Sequence, residues 1–136
     1  MAVNYLLIII AAIVSMLIGS FWYSPLMFGN LWMKLSGLSS KDLDKVKKRG
    51  MGKIYLTSFI STLVLAYVLN YIISYFGEIE FITLIFNVFL IWLGFIATTM
   101  LSSVLWEGKK VSLYLLNITY QLFSIVVMSI IFKVWS

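Results

Sequence analysis

Four long apolar runs leave this chain of 136 residues almost no choice of fold. Val3–Ser20, Ile54–Phe76 and Phe81–Leu105 contain no Asp, Glu, Lys or Arg, and Val111–Val134 contains only Lys133, near its end. Each run has the roughly 18–20 residues that a helix needs to cross a hydrocarbon layer about 30 Å thick. Inside lipid the backbone must satisfy its own hydrogen bonds, so helices and closed barrels are the available solutions. The runs are continuously apolar rather than alternating, and this selects helices. The expected fold is all-α: an integral membrane bundle of four antiparallel transmembrane helices with a short cytoplasmic loop helix. One domain over residues 1–136 accommodates it.

Composition narrows the chemistry. Only 11% of residues are charged, against about a quarter in a soluble domain. Cys and His are both absent, which removes disulfides, thiol redox, Cys/His zinc sites and His-ligated haem. Ser and Thr have no His to activate them, and Glu107 is the only acid flanking the basic-side ends of the runs. Enzymatic activity is therefore not expected, since neither a nucleophile–base pair nor a carboxylate metal site can be assembled. No catalytic residue, metal ligand or cofactor is assigned. The first run lacks a basic leader and ends in bulky aromatics, so it reads as a retained span rather than a cleaved signal.

Charge placement sets the expected orientation. The first connection carries Lys34, Lys41, Lys45, Lys47, Lys48, Arg49 and Lys53 against Asp42 and Asp44. The second holds only Glu78 and Glu80, and the third Glu107, Lys109 and Lys110. By the positive-inside rule the basic 23–53 loop and the third connection are cytoplasmic, with both termini outside a cell (plasma) membrane. The net charge of +5 is thus a topology signal, and no nucleic-acid surface is expected. Within the long connection, Ser39 with Asp42 three residues on forms a capping signature and Gly50 a stop, so a short helix lies between them.

Small and polar residues recur inside the runs at steps of four: Ala11, Ser15 and Gly19; Ser58, Thr62, Ala66, Asn70 and Ser74; Gly94, Thr98 and Ser102. The fourth run aligns Asn117, Gln121, Ser124 and Met128. Such ridges either line a polar path or pack helices together, and small-residue steps are common enough in membranes to favour packing. Asn70 and Asn87 fall in the same half of neighbouring spans, where they can bond each other.

The basic side gathers the remaining chemistry. Trp22, Tyr23, Ser24 and Pro25 end the first run there, Trp106 and Glu107 end the third, and Asn117 and Gln121 follow in the fourth. Trp22, Tyr23, Ser24, Trp106, Glu107, Asn117 and Gln121 form the candidate ligand site. The plainer readings stand beside it: Trp and Tyr anchor helices at the headgroup level, and Glu107 pairs with Lys109, Lys110 or Lys53.

At these residues the chain resembles the small prokaryotic four-span membrane proteins grouped as domain of unknown function 1761. The stretches that carry the resemblance are residues 21–29 (FWYSPLMFG) with Trp32, residues 50–53 with 55–59, residues 92–101 running into 104–108, and residues 113–117 with Tyr120. They cover nearly the whole chain in order. The resemblance implies four spans and brings no activity with it. Ser102 and Gln121 stand where relatives often carry Asn and His, so no pH-sensing role passes to position 121.

Two functions are expected from these readings. The first is transport or binding of a small solute at a cytoplasm-facing site in the bundle, by a homo-oligomer, with a dimer favoured. The second is a non-transporting accessory or scaffold protein that docks another membrane protein. The lipid bilayer is the partner common to both.

Overall fold

The computed structural model describes residues 4–135. The expected start of the first run, Val3, lies outside the described residues. The run is seen as α1 (Tyr5–Trp22), followed by α2 (Gly29–Ser36), α3 (Ser40–Arg49) and α4 (Met51–Ser74). The third rod is α5 (Phe81–Trp92), a π-helical turn (Leu93–Ala97), α6 (Thr98–Met100) and α7 (Ser102–Leu105). The last helix is α8 (Val111–Trp135). Four helices, Tyr5–Trp22, Met51–Ser74, Phe81–Leu105 and Val111–Trp135, are long and apolar enough to cross a membrane. Among the described residues there is no strand. The chain is a multi-pass, all-α membrane bundle, as expected.

Local sequence explains the helix ends. Asn4 caps α1 by accepting the Leu7 N–H at 3.2 Å. Pro25 has no N–H to extend α1, and the residue before a proline avoids helical geometry; α1 accordingly stops at Trp22. A tight turn follows, in which Phe28 N–H donates to Trp22 O at 3.0 Å and Gly29 N–H to Ser24 O at 2.9 Å. This turn leads into α2, a short helix that packs on α8 and is not among the four apolar runs of the sequence.

The loop helix α3 begins on the capping box read from Ser39 and Asp42. Ser39 N–H and hydroxyl donate to Asp42 Oδ2 at 2.9 and 3.0 Å. It ends at Gly50, whose φ of 100° suits a residue without a Cβ. The Ser39 backbone bond, helped by the Ser39 hydroxyl, holds the Asp42 carboxyl below its ordinary value of 3.8. The cap's contribution is therefore full above that ordinary value and lost as pH falls through the lower folded one. Acid titration should move the Ser39 amide resonance and fray the first turn of α3 while the four long helices persist; Asp42→Asn should abolish that titration.

Packing is uneven. The helix α8 packs against α1, α4 and α5, and α1 also packs along α4. The core, including Leu7, Ile8, Ala66, Leu69, Leu84, Val88, Met128 and Phe132, occupies the half of the bundle away from the lysine-rich loops. The buried residues of α4, Ala66 and Leu69, both lie in its second half. Toward the lysine-rich end, where Ala97, Leu113 and Leu116 are also buried, polar and aromatic contacts join the long helices. Ser15 and Ser124 hydroxyls bond each other between α1 and α8, and the Thr62 hydroxyl donates to Met16 Sδ at 3.8 Å between α4 and α1.

Two expectations about packing need correction. The ridge of Gly94, Thr98 and Ser102 does not face another helix of the chain; all three residues are exposed. Thr98 and Ser102 hydroxyls instead donate to their own rod, to Gly94 O at 2.6 Å and Thr99 O at 3.1 Å. The residue of this stretch that faces inward is Ala97, at the end of the π-helical turn, where Tyr114 on α8 donates its hydroxyl to the Ala97 carbonyl. Likewise no hydrogen bond joins Asn70 to Asn87; α4 and α5 each lean on α8 rather than packing extensively on each other. Ser58 is also exposed, at the poorly covered start of α4.

Candidate functional site

The turn after α1 places two aromatic rings at the lysine-rich end in different environments. Trp22 is 9% exposed, with ring centroids 4.7 Å from Phe28, 5.6 Å from Phe123 and 6.4 Å from Tyr120. Its indole N–H has no hydrogen-bond partner among the described residues. Tyr23 packs edge-on to Tyr120 at 5.5 Å and to Trp32 of α2 at 6.0 Å. Its hydroxyl donates to Asn117 Oδ1 at 2.7 Å. Ser24 serves the turn itself, donating to Phe21 O at 2.7 Å.

The helix α8 supplies the opposite wall. Asn117, Tyr120 and Ser124 recur at helical spacing along one side of it. The Tyr120 hydroxyl donates to Ser15 O at 3.1 Å and lies against Gly19, where a Cβ would come within 2.7 Å of it. Trp92 completes the fastening from the third rod, its indole N–H donating to Ile118 O at 2.8 Å. Below Asn117 the bundle opens into a cleft of about 620 Å³ between α2 and the loop before α8. Its lining includes Trp32, Lys34, Ser36, Lys109, Lys110 and Asn117.

Of the residues singled out in the sequence, the structure brings together Trp22, Tyr23, Ser24 and Asn117. Gln121 is half-buried one turn further along α8, with no hydrogen bond to the Tyr23–Asn117 pair. Trp106 and Glu107 stand apart: Trp106 is 88% exposed, and the Glu107 side chain, 61% exposed, lies 3.8 Å from Lys109 Nζ. Of the seven predicted residues, Asn117 alone is in the lining of the cleft; Tyr23 reaches it through its hydrogen bond to Asn117. Sequence reasoning misses Trp32, Tyr120 and the three lysines as site residues. Tyr120 can be found from its spacing of three from Asn117, whereas Trp32 requires α2 to be recognised. Among the described residues, no three Asp, Glu, Cys or His side chains group so as to hold a metal ion. Asn70 belongs to a second cleft of about 600 Å³ at the opposite end, with Glu78 and Lys133.

Fold and site together define a small four-helix membrane protein with a polar, aromatic-walled cleft at one end. The chain belongs to the family described as "Protein of unknown function (DUF1761)", whose model matches residues 6–133. No curated protein and no solved structure matched it.

Proposed function

We propose that this protein sits in the cell membrane with its lysine-rich end in the cytoplasm and binds a small solute in the cleft beside Tyr23 and Asn117, as the cytoplasmic step of transport. The observation that carries this reading is the cleft at the lysine-rich end, with Asn117, the acceptor of the Tyr23 hydroxyl, in its lining. The apolar core lies toward the other end, where a second cleft of about 600 Å³ opens beside Asn70, Glu78 and Lys133; three lysines and an amide without a carboxylate set apart the lysine-rich cleft of about 620 Å³. Passage across requires the core to rearrange, and a homodimer would give the small chain a surface to move against. The lysines support the orientation through the positive-inside rule. The reading is non-catalytic, in keeping with a sequence that lacks His and Cys.

Tyr23→Phe and Asn117→Ala test it on purified protein against a panel of small polar solutes. Each should remove the solute-dependent rise in melting temperature and lower any flux into liposomes by about tenfold or more, as expected when a buried polar contact is lost. Stability without solute should fall by only about 1 kcal/mol. Glu107→Ala, on the exposed loop, should behave as wild type. Solute responses unchanged in both site variants would overturn the proposal.

One observation favours the accessory role as a second reading. The exposed ridge of Gly94, Thr98 and Ser102 leaves a polar face with no helix of this chain against it. A scaffold would co-purify with a larger membrane protein and lose it when Lys45, Lys47, Lys48 and Arg49 are neutralised.

A further inference from the structure

We infer that the occupant of the cleft at the lysine-rich end is a phosphate-bearing anion. The inference rests on the binding site proposed above and names its ligand class. Lys34 comes from α2, Lys109 and Lys110 from the loop before α8, and all three line one cleft. No carboxylate lines it, although Asp42, Asp44 and Glu107 lie in the same two loops. Lys109 meets Glu107 at 3.8 Å, with both side chains more than half exposed, and such a pair contributes little. Lys34 and Lys110 have no ion pair among the described residues.

The amide adds to the same polarity. Tyr23 donates to Asn117 Oδ1, which fixes the amide's orientation and leaves its NH₂ as the group with free donors. Ammonium groups and an amide N–H are all donors, and their shared complement is an anion with several acceptor oxygens. Topology alone does not require this arrangement. The positive-inside rule is met by lysines anywhere in the basic loops, and it does not ask that three converge on one cleft without an acid. Trp32 gives the cleft an aromatic wall, of the kind that sits at the headgroup level. A phosphate ester from a lipid headgroup and one from a soluble metabolite present the same oxygens, so both sources fit.

The experiment uses the full chain in phosphatidylcholine nanodiscs, with phosphatidylglycerol included in one arm and inorganic phosphate titrated in the other. Native mass spectrometry counts retained lipid, and the melting temperature reports phosphate. Wild type should retain phosphatidylglycerol over phosphatidylcholine or be stabilised by phosphate; the first outcome assigns a lipid headgroup, the second a soluble phosphate. The combined substitution Lys34→Gln, Lys109→Gln and Lys110→Gln should weaken that response about a hundredfold, from roughly fivefold per lysine near the surface. Lys45→Gln, Lys47→Gln and Lys48→Gln on α3 remove the same charge away from the cleft and should change it far less.

Equal loss in the two triple variants would show a diffuse surface effect and overturn the inference. So would wild-type protein that neither selects phosphatidylglycerol nor responds to phosphate, a measurement that needs no variant. If phosphate-free solutes then still gave responses dependent on Tyr23 and Asn117, the ligand class would be wrong and the site right. If no solute did, both would fall.

Discussion

Replacing Gly29 with alanine is expected to lower stability by on the order of 3 kcal/mol, at the high end for overpacking, and to disassemble the candidate site. A Cβ at position 29 would lie 2.6 Å from Tyr23 O, 2.7 Å from Ser24 C and 2.8 Å from Ser24 O. These are backbone atoms of the turn itself, so no side-chain rotation relieves the clash. The turn must open, which removes the Gly29 N–H bond to Ser24 O and the Phe28 N–H bond to Trp22 O. Phe28 then leaves Trp22, and Tyr23 is carried away from Asn117. Gly52→Ala is the matched comparison, because nothing lies within 4 Å of a Cβ there. In a helix that change should be neutral or stabilising by up to about 1 kcal/mol. Denaturation midpoints in mixed detergent micelles measure both, and equal behaviour of the two variants would refute the argument.

Phe132→Ala should cost about 2–3 kcal/mol, below the usual range for a buried Phe in a soluble core. Phe132 is 1% exposed and belongs to the core that joins α8 to α1, α4 and α5. In lipid, the unfolded reference is already apolar, so removing the ring forfeits little transfer free energy. What remains is the cavity itself and the dispersion attraction that its walls forgo. Phe95, 72% exposed on the third rod, makes the contrast: Phe95→Ala should shift the denaturation midpoint hardly at all. A large effect at Phe95 and none at Phe132 would mean that the apolar faces are assigned the wrong way round.

That contrast marks the boundary of what hydropathy can report. Phe95 and Phe132 are the same residue type in equally apolar runs, yet one faces outward and the other is enclosed. The step of four in Gly94, Thr98 and Ser102 suggests a packing face, yet no helix of this chain covers it and all three residues are exposed. In the site, Ser24 and Pro25 announce the turn and Asn117 announces a polar position. Trp106 and Glu107 share the same level of the bundle, but their loop directs them outward. Level along a helix is legible from residue number, whereas direction around its axis is not.

Local chemistry alone is enough for four membrane-length helices, for the end of α1 ahead of Pro25, and for α3 between Ser39 and Gly50. Apolarity, capping and the missing proline donor act within a few residues, and no tertiary partner alters them. Tertiary structure decides that α8 is the helix packed against all the other long ones, that the core fills one half, and that Tyr23 meets Asn117 across 94 residues. It also draws Lys34 to the same cleft as Lys109 and Lys110. The reason is the solvent. In water a helix shows its buried face by being apolar, but in lipid both faces are apolar. Facing is then settled by shape, by hydrogen bonds between helices and by where an aromatic ring fits.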